Sequence, residues 1–297
     1  MGHTARCVAI INALVSNNNT VFFAGNAQQN CFIEKDFPQI KTVLLQGYNI
    51  QLDSKKSTYF QMALQSPKFA KAIKAENKWL HNFCANNKVD FIISDNRYGF
   101  YHTTIPSVII THQLSMQLPK FKTIVNKQIA KKVECFKACW IPDFKNHLLT
   151  GELSKSKLKI PVHFINPLNR FQNLVLPEKY QLLVILSGPE PERTNFLNYA
   201  LAFVKNKNYR VAFVGAKVKN NSSFENPTTK ELARLIAQSN TVFSRAGYTT
   251  IMEMVSLNKK AILIPTVGQF EQEYLATHVK HPTISFVKLG DLENVVF

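Results

Sequence analysis

The sequence lacks long apolar runs and a paired arrangement of cysteines. No segment of the 297 residues approaches the roughly 20 consecutive apolar residues that cross a bilayer. No charged leader followed by an apolar stretch and a small-residue cleavage site opens the chain, so we expect a cytoplasmic location. The five cysteines are odd in number and form no CxxC pair, which indicates reduced thiols and argues against a zinc knuckle.

Acidic residues are scarce relative to basic ones. The chain has 19 Asp and Glu residues against 36 Lys and Arg residues, a formal net charge of +17. This balance suits a nucleic acid, an anionic lipid surface, an anionic substrate or simply a solvated basic surface. The lysines are dispersed, and the chain has no RNA-recognition signature and no basic region with heptads. Nucleic acid is therefore not favoured as a partner.

The second half of the chain alternates between predicted strands and helices. Short β-branched runs typical of buried strands occur at YQLLVILSG (180–188), YRVAFVG, NTVFS, KAILIPT and TISFV. Helices are predicted between them at ERTNFLNYALAFVKN, TTKELARLIAQS, GYTTIMEMVSLN and EQEYLATHV. Thr228 and Glu231 have the spacing of a capping box at the start of the second of these helices. Strict alternation predicts a parallel sheet covered on both faces.

The first half alternates in the same way, and a proline-bearing segment separates the halves. Strands are predicted at TVFFAG, KTVLL, VDFIISD, PSVIITH and ACWIP, with a long helical region from about Thr58 to Asn87. We predict an N-terminal domain at 1–162, a linker at 163–178 and a C-terminal domain at 179–297, because this length exceeds what one core usually serves. Two α/β halves predict a ligand held between them, at the carboxyl ends of the strands.

The segment SRAGYTTIMEM (244–254) combines a strand end, a glycine and a helix start. Gly247 lets the backbone approach a ligand, and the following helix presents free N–H groups that suit a diphosphate. We expect the backbone from Ala246 to Thr249 to hold the phosphates and Arg245 to neutralise them. The alternative for Arg245 is an ordinary solvated side chain.

Glu253 lies four residues after Thr249, so the two side chains share one helix face. Its carboxylate suits the paired hydroxyls of a ribose. The alternative is that Thr250 and Glu253 form a capping box.

The segment TVGQFEQE (266–273) follows the next predicted strand and is rich in polar side chains. Gln269, Glu271 and Gln272 donate and accept hydrogen bonds with little net charge, which suits the hydroxyls of a sugar. The alternative is a polar loop with Glu271 near the N-terminus of the next helix.

Together these segments resemble the donor-binding signature of GT-B glycosyltransferases. SRAGYTTIMEM and PTVGQFEQEY are similar to the motifs of the glycosyltransferase family 28 group, which includes the lipid-linked N-acetylglucosamine transferase of peptidoglycan synthesis. LSGPEPERT resembles the diphosphate-facing end of that group's first C-terminal strand, and NPLNRF resembles its interdomain hinge. Uncharacterised bacterial and archaeal members share SGPEP and FEQ. Pro189 stands where many relatives have a small residue, so the resemblance assigns the diphosphate contact there to Ser187, Gly188 and Arg193.

The resemblance also indicates where the acceptor would bind. Asp95 and His112 each follow a predicted strand of the first half, with Gln113 beside the histidine, and either could orient or deprotonate an acceptor hydroxyl. The alternatives are that Asp95 caps a helix and that His112 is a packed polar residue. His147, His163 and His278 have no convincing partner spacing and are treated as incidental.

Gly2 and His3 resemble the end of the Gly-x-Gly-His turn that follows the first strand in this family, with Met1 in the x position. The resemblance makes His3 a candidate base, since the pKa of free histidine lies near cellular pH. The alternative is a disordered terminal residue. On this interpretation the N-terminal domain lacks its first strand.

These expectations combine into one hypothesis. The resemblance implies a GT-B fold of two Rossmann-like domains facing across a cleft, and an inverting transfer from a nucleotide sugar, with UDP expected, to an unknown acceptor. It implies no metal and no cofactor, and the sequence offers no DxD-type pair on a suitable loop. The basic surface is compatible with a lipid-linked acceptor and peripheral association at the inner face of the cell membrane. The alternatives are a UDP-sugar 2-epimerase of the same fold and a non-catalytic nucleotide-sugar-binding protein.

Overall fold

The computed structural model describes residues 2–48, 58–117, 121–205 and 207–288, with side chains in the second range described from residue 67. The helices are α1 Gly2–Ser16, α2 Ala27–Asp36, α3 Thr58–Asn86, α4 Lys122–Val133, α5 Glu192–Val204, α6 Thr229–Ala237, α7 Tyr248–Ser256 and α8 Phe270–His278. The strands are β1 Phe22–Gly25, β2 Lys41–Leu44, β3 Ile92–Asp95, β4 Ser107–Ile110, β5 Ala138–Ile141, β6 Val162–Phe164, β7 Tyr180–Ile185, β8 Val211–Val214, β9 Ser222–Phe224, β10 Ser239–Arg245, β11 Ala261–Ile264 and β12 Ile284–Phe286.

The chain divides into two compact units. The N-terminal unit comprises Val21–Glu34 and Gln39–Asn166, and the C-terminal unit comprises Met1–Thr20, Lys35–Pro38 and Pro167–Phe297. The predicted domain boundaries at 162 and 179 stay a prediction. The observed units differ from them chiefly because the first helix and a short segment after Glu34 group with the second half of the chain.

The N-terminal unit contains two parallel sheets, one of β1 and β2 and one in the order β3-β4-β5-β6. In register, Asp95 pairs with Ile110 and Ile110 pairs with Trp140, so β3, β4 and β5 end at one level. A core of fully or nearly fully buried side chains lies beneath this sheet: Ile109, Leu114, Val133, Cys139 and Ile141. In the described ranges no strand joins β1 to β3.

Strand β6 lies at the start of the segment predicted to be the linker. Val162 to Phe164 pair in parallel with β5, and the irregular segment begins only at residue 165. A strand of three residues flanked by prolines carries too little alternation to be recognised in the sequence.

The C-terminal unit is built on one parallel sheet of six strands in the order β12-β11-β10-β7-β8-β9. Read from β9 and numbered by appearance in the chain, this is the order 3-2-1-4-5-6 of doubly wound dinucleotide-binding domains. The chain adds β8 and β9 on one side of β7 and then returns to add β10 on the other side, parallel to β7. The strand order therefore reverses between β7 and β10. Apolar side chains from both strands, including Leu182, Val184 and Phe243, form the core below. Ligands of such sheets bind at the carboxyl ends of the strands at this reversal.

Two contacts explain why N-terminal segments belong to the C-terminal unit. Helix α1 packs against α7, and Thr249 Oγ1 donates to the Gly2 carbonyl at 3.2 Å. The Asp36 carboxylate accepts from Thr229 N at 3.2 Å, at the start of α6. The predicted capping box of Thr228 and Glu231 on that helix is confirmed. Of the helices described, none combines the length and apolar character needed to cross a membrane.

Candidate functional site

Two loops leave the sheet of the C-terminal unit at the point where its strand order reverses. Ser187 and Gly188 follow β7, and Arg245 to Gly247 end β10 and lead into α7. Gly188 has φ +94°, a backbone conformation that glycine adopts without strain, and a Cβ there would lie 3.9 Å from Arg245 Nη1. Ser244 Oγ donates to the Ile185 carbonyl at 3.0 Å and fixes the two strand ends together. The structure therefore brings these two predicted donor segments side by side.

Arg245 is the charged group of this pair of loops. The residue is 6% exposed, so the expected alternative of a solvated arginine is wrong. Within the described residues its guanidinium has no hydrogen bond and no ion pair. Burial lowers the pKa of Arg245, while the Glu192 carboxylate in the first turn of α5 acts in the opposite direction. A buried cation without a direct ion pair is costly, and an anion at this position would stabilise it.

Helix α7 begins at Tyr248, with Gly247 as its N-cap and no side chain capping it. The alternative capping box of Thr250 and Glu253 is therefore wrong, because both residues lie inside the helix. Ala246 N and Gly247 N donate to the carbonyls of Ile264 and Arg245, each at 2.9 Å. The N–H groups left for an anion are those of the first turn, at Thr249 and Thr250, rather than the whole run from Ala246.

Glu253 lies on α7 and is 5% exposed. Its Oε1 forms an ion pair at 2.9 Å with Nε of Arg170, the arginine of the hinge-like segment NPLNRF. Burial raises the pKa of Glu253, and the adjacent Arg170 guanidinium opposes that rise. Both residues lie in segments that the sequence singled out, yet their contact was not predicted, because 83 residues separate them in the numbering and neither position implies the other.

The loop between β11 and α8 is braced by one of its three predicted sugar-binding residues. Gln272 Oε1 accepts from Thr266 N at 2.9 Å and from Thr266 Oγ1 at 2.8 Å, and its Nε2 donates to Gln269 Oε1 at 2.5 Å. Gln269 is the exposed N-cap of α8, and Glu271 lies in the first turn, as the polar-loop alternative expected. Gln272 therefore shapes the loop, while Gln269 faces solvent at its end.

Arg193 is already engaged. Its Nη2 donates to the carbonyl of Gly215, just beyond β8, so the side chain joins the start of α5 to the neighbouring loop. Ser187, by contrast, is exposed at the end of β7.

The predicted acceptor residues share one edge of the β3-β4-β5-β6 sheet. Asp95 is the last residue of β3, and no described helix begins between β3 and β4, so the helix-cap alternative for Asp95 is wrong. His112 lies two residues beyond β4 and is 5% exposed, which agrees with a packed polar residue. Gln113 N donates to Thr111 Oγ1 at 3.1 Å and turns the chain there.

A buried carboxylate that the sequence did not single out organises the loop after β3. Glu76 on α3 is 4% exposed and accepts from Tyr48 Oη, Arg97 Nε and, at 3.0 Å, Gly99 N. Arg97 Nη2 also donates to the Gln46 carbonyl at 2.8 Å. Burial raises the pKa of Tyr48, and the adjacent Glu76 carboxylate adds to the rise. Glu76 and its partners come from three separate segments, so no local pattern could have indicated the cluster.

His3 lies in the first turn of α1, close to α7 rather than at a disordered terminus, and Met1 lies outside the described residues. Its Nδ1 is 2.5 Å from Nη2 of Arg6. Because arginine can only donate, Nδ1 accepts, and a neutral His3 must carry its proton on Nε2. His147, which the sequence left without a partner, is hydrogen-bonded to Ser154.

In the parts of the chain that the structure describes, no group of three or more His, Cys, Asp or Glu side chains could hold a metal ion.

Comparison with known proteins gives one family and a set of similar folds. The model described as glycosyl transferase family 1 matches residues 1–295. The glycotransferase of kitacinnamycin is 14% identical, with 97% of this chain and 84% of that chain covered and a TM-score of 0.64. MurG of Acinetobacter baumannii is 13% identical, with 97% and 83% covered and a TM-score of 0.53. Phytolacca americana UGT2, complexed with UDP-2-fluoro-glucose and pterostilbene, is 14% identical, with 93% and 80% covered and a TM-score of 0.60. A comparison with curated protein sequences gives no match.

Proposed function

Because the chain belongs to glycosyl transferase family 1, we propose that it moves a sugar from a UDP-linked donor to an acceptor hydroxyl with inversion at the anomeric carbon. The predicted resemblance to GT-B glycosyltransferases is confirmed by the family match and by the solved structures of the same fold, which include a MurG. The UDP sugar bound to Phytolacca americana UGT2 supports a uridine nucleotide in the donor.

The observation that carries this proposal is the buried Arg245 guanidinium at the reversal of the strand order. It lies next to the positive-φ Gly188, and the uncapped start of α7 follows it in the chain. A leaving diphosphate needs positive charge and N–H donors that are already in place as its own negative charge develops. Arg245 and the first turn of α7 supply both, and Ser187 at the end of β7 adds a hydroxyl donor.

The remaining donor contacts are proposed around this centre. Glu253 would accept from the ribose hydroxyls, with Thr249 on the same helix face, and Gln269 and Glu271 would contact the sugar. Gln272 and Arg193 would act mainly by holding their loops, because their polar atoms already have partners. For Glu253 to bind a ribose, its carboxylate must keep its ion pair with Arg170 and also accept from the ligand.

The acceptor would bind on the N-terminal unit, at the carboxyl edge that carries Asp95, His112 and Gln113. Asp95, His112 and His3 are the candidate bases from the sequence. The tautomer of His3 argues against that residue, since its unprotonated nitrogen already accepts from Arg6. A net charge of +17 supports an anionic acceptor, including a lipid-linked one presented at a membrane surface.

The test is the substitution Arg245→Gln, with Arg234→Gln as a matched control on the exposed face of α6. A thermal-shift screen of nucleotide sugars selects the donor, because a ligand that binds only the folded state raises the melting temperature. Calorimetry then measures UDP and the selected donor against wild type and both variants. Hydrogen bonds to charged groups contribute about 1.5–3 kcal/mol, so we expect Arg245→Gln to weaken binding by about 10-fold or more.

Arg234→Gln should bind as wild type does. Equal affinities for wild type and Arg245→Gln would overturn the donor-site assignment. Formation of an epimer from the donor alone would instead indicate the epimerase, and donor binding without transfer to any acceptor of a lipid extract would indicate the non-catalytic protein.

A further inference from the structure

The start of helix α4 in the N-terminal unit presents two large apolar side chains to solvent. Phe121, immediately before the helix, is 69% exposed, and Ile124 in the first turn is 62% exposed. In the described ranges no other two exposed large apolar side chains lie within four residues of each other. Residues three apart are neighbours on a helix surface, so these two form one exposed apolar patch.

The backbone of this patch is in an uncommon conformation. Phe121 has φ 59° and ψ 14°, in the left-handed region that an aromatic residue rarely adopts. Its carbonyl accepts from Val125 N at 3.0 Å, the first hydrogen bond of the helix. Such conformations cost free energy and are concentrated at sites that bind or switch. The exposed ring is therefore a feature that calls for a partner.

The outer surface of α4 is basic. The helix has four lysines and no acidic residue. Lys127 and Lys131 are exposed, three and seven residues after Ile124, so they continue the same face along the helix. Lys122 is also exposed, and its Nζ donates to Gln117 Oε1 at 2.7 Å. The apolar patch thus lies at the end of a row of cations that no acidic residue of the helix neutralises.

Helix α3 lies beside α4 and adds to this charge. Lys132, the half-buried lysine of α4, has its Nζ 4.3 Å from the ring centroid of Phe69 on α3. The described side chains of α3 include exposed lysines at helical spacing: Lys68, Lys71, Lys74 and Lys78. The only acidic side chain described on α3 is the buried Glu76, which is paired with Arg97. Packed helices lie about 8–10 Å apart, close to the Debye length of about 8 Å in physiological salt, so both sets of lysines contribute to one potential.

This combination fits the surface of an anionic bilayer. Lysines near such a surface are attracted to the lipid headgroups, and apolar side chains that enter the headgroup region add a contribution that salt does not screen. Single-stranded nucleic acids are bound by cations interleaved with aromatic rings on which successive bases stack. Helix α4 offers one ring beside an isoleucine and no arginine, so the bilayer is favoured.

Helix α4 is also fixed to the loop that carries two of the predicted acceptor residues. Asn126 Oδ1 accepts from Met116 N at 2.8 Å, and Asn126 Nδ2 donates to Ser115 Oγ at 3.1 Å. The same loop begins after β4 with His112 and Gln113. A partner bound at the start of α4 is therefore held close to the acceptor edge of this unit.

We propose that Phe121, Ile124 and the exposed lysines of α4 and α3 form a docking surface for an anionic membrane, and that the acceptor is lipid-linked. The second part rests on the proposed glycosyltransferase function, whereas the docking surface does not. Phe121 and Ile124 enter the headgroup region, and the lysines lie against the lipid phosphates. Asn126 keeps the loop of His112 and Gln113 beside the membrane, so an acceptor hydroxyl carried on a lipid reaches this edge without leaving the bilayer.

The docking surface is tested by sedimentation of the whole chain with vesicles of phosphatidylcholine alone, or of phosphatidylcholine and phosphatidylglycerol in equal parts. Wild type should bind the mixed vesicles, and more weakly as salt is added. In Phe121→Asn/Ile124→Gln, asparagine tolerates the left-handed backbone and glutamine is a good helix former. This variant should bind at least about 10-fold more weakly, because it loses the burial of two large apolar side chains. The control Val175→Gln, at a residue that is 96% exposed in the C-terminal unit, should bind as wild type does.

A second pair of variants isolates the charge. Lys127→Gln/Lys131→Gln removes two exposed cations of α4, and Lys230→Gln/Lys280→Gln removes two exposed cations of the C-terminal unit. Each lysine near an anionic membrane contributes about fivefold, so the first variant should bind at least about 10-fold more weakly. The second should bind within about twofold of wild type, because salt screens charges that lie far from the surface.

Three outcomes would overturn the docking surface: equal binding of wild type to both kinds of vesicle, no vesicle binding at all, or unchanged binding by both α4 variants. Tighter binding to a single-stranded RNA than to the mixed vesicles, lost in the lysine variant of α4 but kept in Phe121→Asn/Ile124→Gln, would replace the membrane with a nucleic acid. Calorimetry with UDP is independent of these results. A protein that docks but binds no nucleotide counts against the proposed function and leaves the docking surface in place.

The lipid-linked acceptor is tested by turnover of the donor that the thermal-shift screen selects, with a lipid extract supplied in the mixed vesicles. Phe121→Asn/Ile124→Gln should turn over at least about 10-fold more slowly than Val175→Gln, while the affinities of both for UDP stay within about twofold of wild type. Equal turnover by the two variants would overturn the lipid-linked acceptor.

Discussion

The ion pair of Arg170 and Glu253 allows a quantitative prediction. The side chains are 12% and 7% exposed, and Nε lies 2.9 Å from Oε1. At an effective dielectric constant of about 20 their attraction is roughly 6 kcal/mol. Burial costs several kcal/mol for each ion, so the intact pair is close to neutral in net stability. Removing Arg170 leaves the Glu253 carboxylate buried without its cation, and Arg170→Met should therefore lower the free energy of unfolding by about 3–5 kcal/mol.

Urea unfolding at pH 7, followed by circular dichroism, measures the effect in Arg170→Met, Glu253→Gln and the double variant. The loss of stability in the double variant should be smaller than the sum of the two single losses, because it removes both charges of the pair together. The matched control is Lys155→Met, which breaks the exposed pair with Glu152, whose side chains are 55% and 56% exposed. That control should not change the free energy of unfolding measurably.

The pH dependence of Arg170→Met gives a second check. Burial raises the pKa of Glu253, so the folded state binds a proton more tightly than the unfolded state does. The contribution of Glu253 to stability is therefore fully present below the ordinary glutamate pKa and is lost as the pH rises through the raised value. Without Arg170 the raised value moves higher, so the deficit of Arg170→Met should shrink as the pH is lowered from 7 towards 4. Single variants as stable as Lys155→Met, or a deficit that grows on acidification, would refute the reasoning.

Two further predictions concern the cluster around Glu76. A Cβ at Gly99 would lie 2.3 Å from the Ile73 carbonyl oxygen, so Gly99→Ala should cost about 1–3 kcal/mol in thermal unfolding, whereas Gly47→Ala, with nothing within 4 Å, should not. Tyr48→Phe removes one donor from the buried carboxylate and should cost about 1–3 kcal/mol, with the exposed Tyr199→Phe as the control that stays at the wild-type value. If Gly99→Ala melts at the same temperature as Gly47→Ala, or Tyr48→Phe at the same temperature as Tyr199→Phe, the stabilising role given to the Glu76 cluster is contradicted.

The sequence correctly predicted the helices, strands and caps whose pattern lies within one short segment. The run from Ser239 to Ser256 holds a buried β-branched strand, a glycine and an amphipathic helix within 18 residues, and the structure has β10 and α7 there. The capping box of Thr228 and Glu231 likewise needs only four consecutive residues. Strands β6 and β9 were missed because three residues carry no period that distinguishes them from a loop.

In the candidate site, too, local patterns were predicted from the sequence and contacts between distant segments were not. The sequence could identify Arg245 and Glu253 as candidates. It could not show whether Arg245 is solvated or buried without an ion pair, because burial depends on strands that lie far apart in the chain. The lysines of α3 and α4 are visible in the sequence, yet the sequence does not show that the two helices are neighbours. That follows from the contact of Lys132 with Phe69, which lie far apart in the chain.

The two outermost strands of the C-terminal sheet, β9 and β12, are each three residues long, whereas the central β7 and β10 have six and seven residues. An edge strand offers its unpaired N–H and C=O groups as a template on which another chain can add a strand. Among the described residues the longest strands have neighbours on both sides, and each outermost strand leaves only a few backbone groups unpaired on its outer side. The taper of the sheet thus limits edge-to-edge self-association, and lengthening either outer strand would be the direct way to weaken that protection.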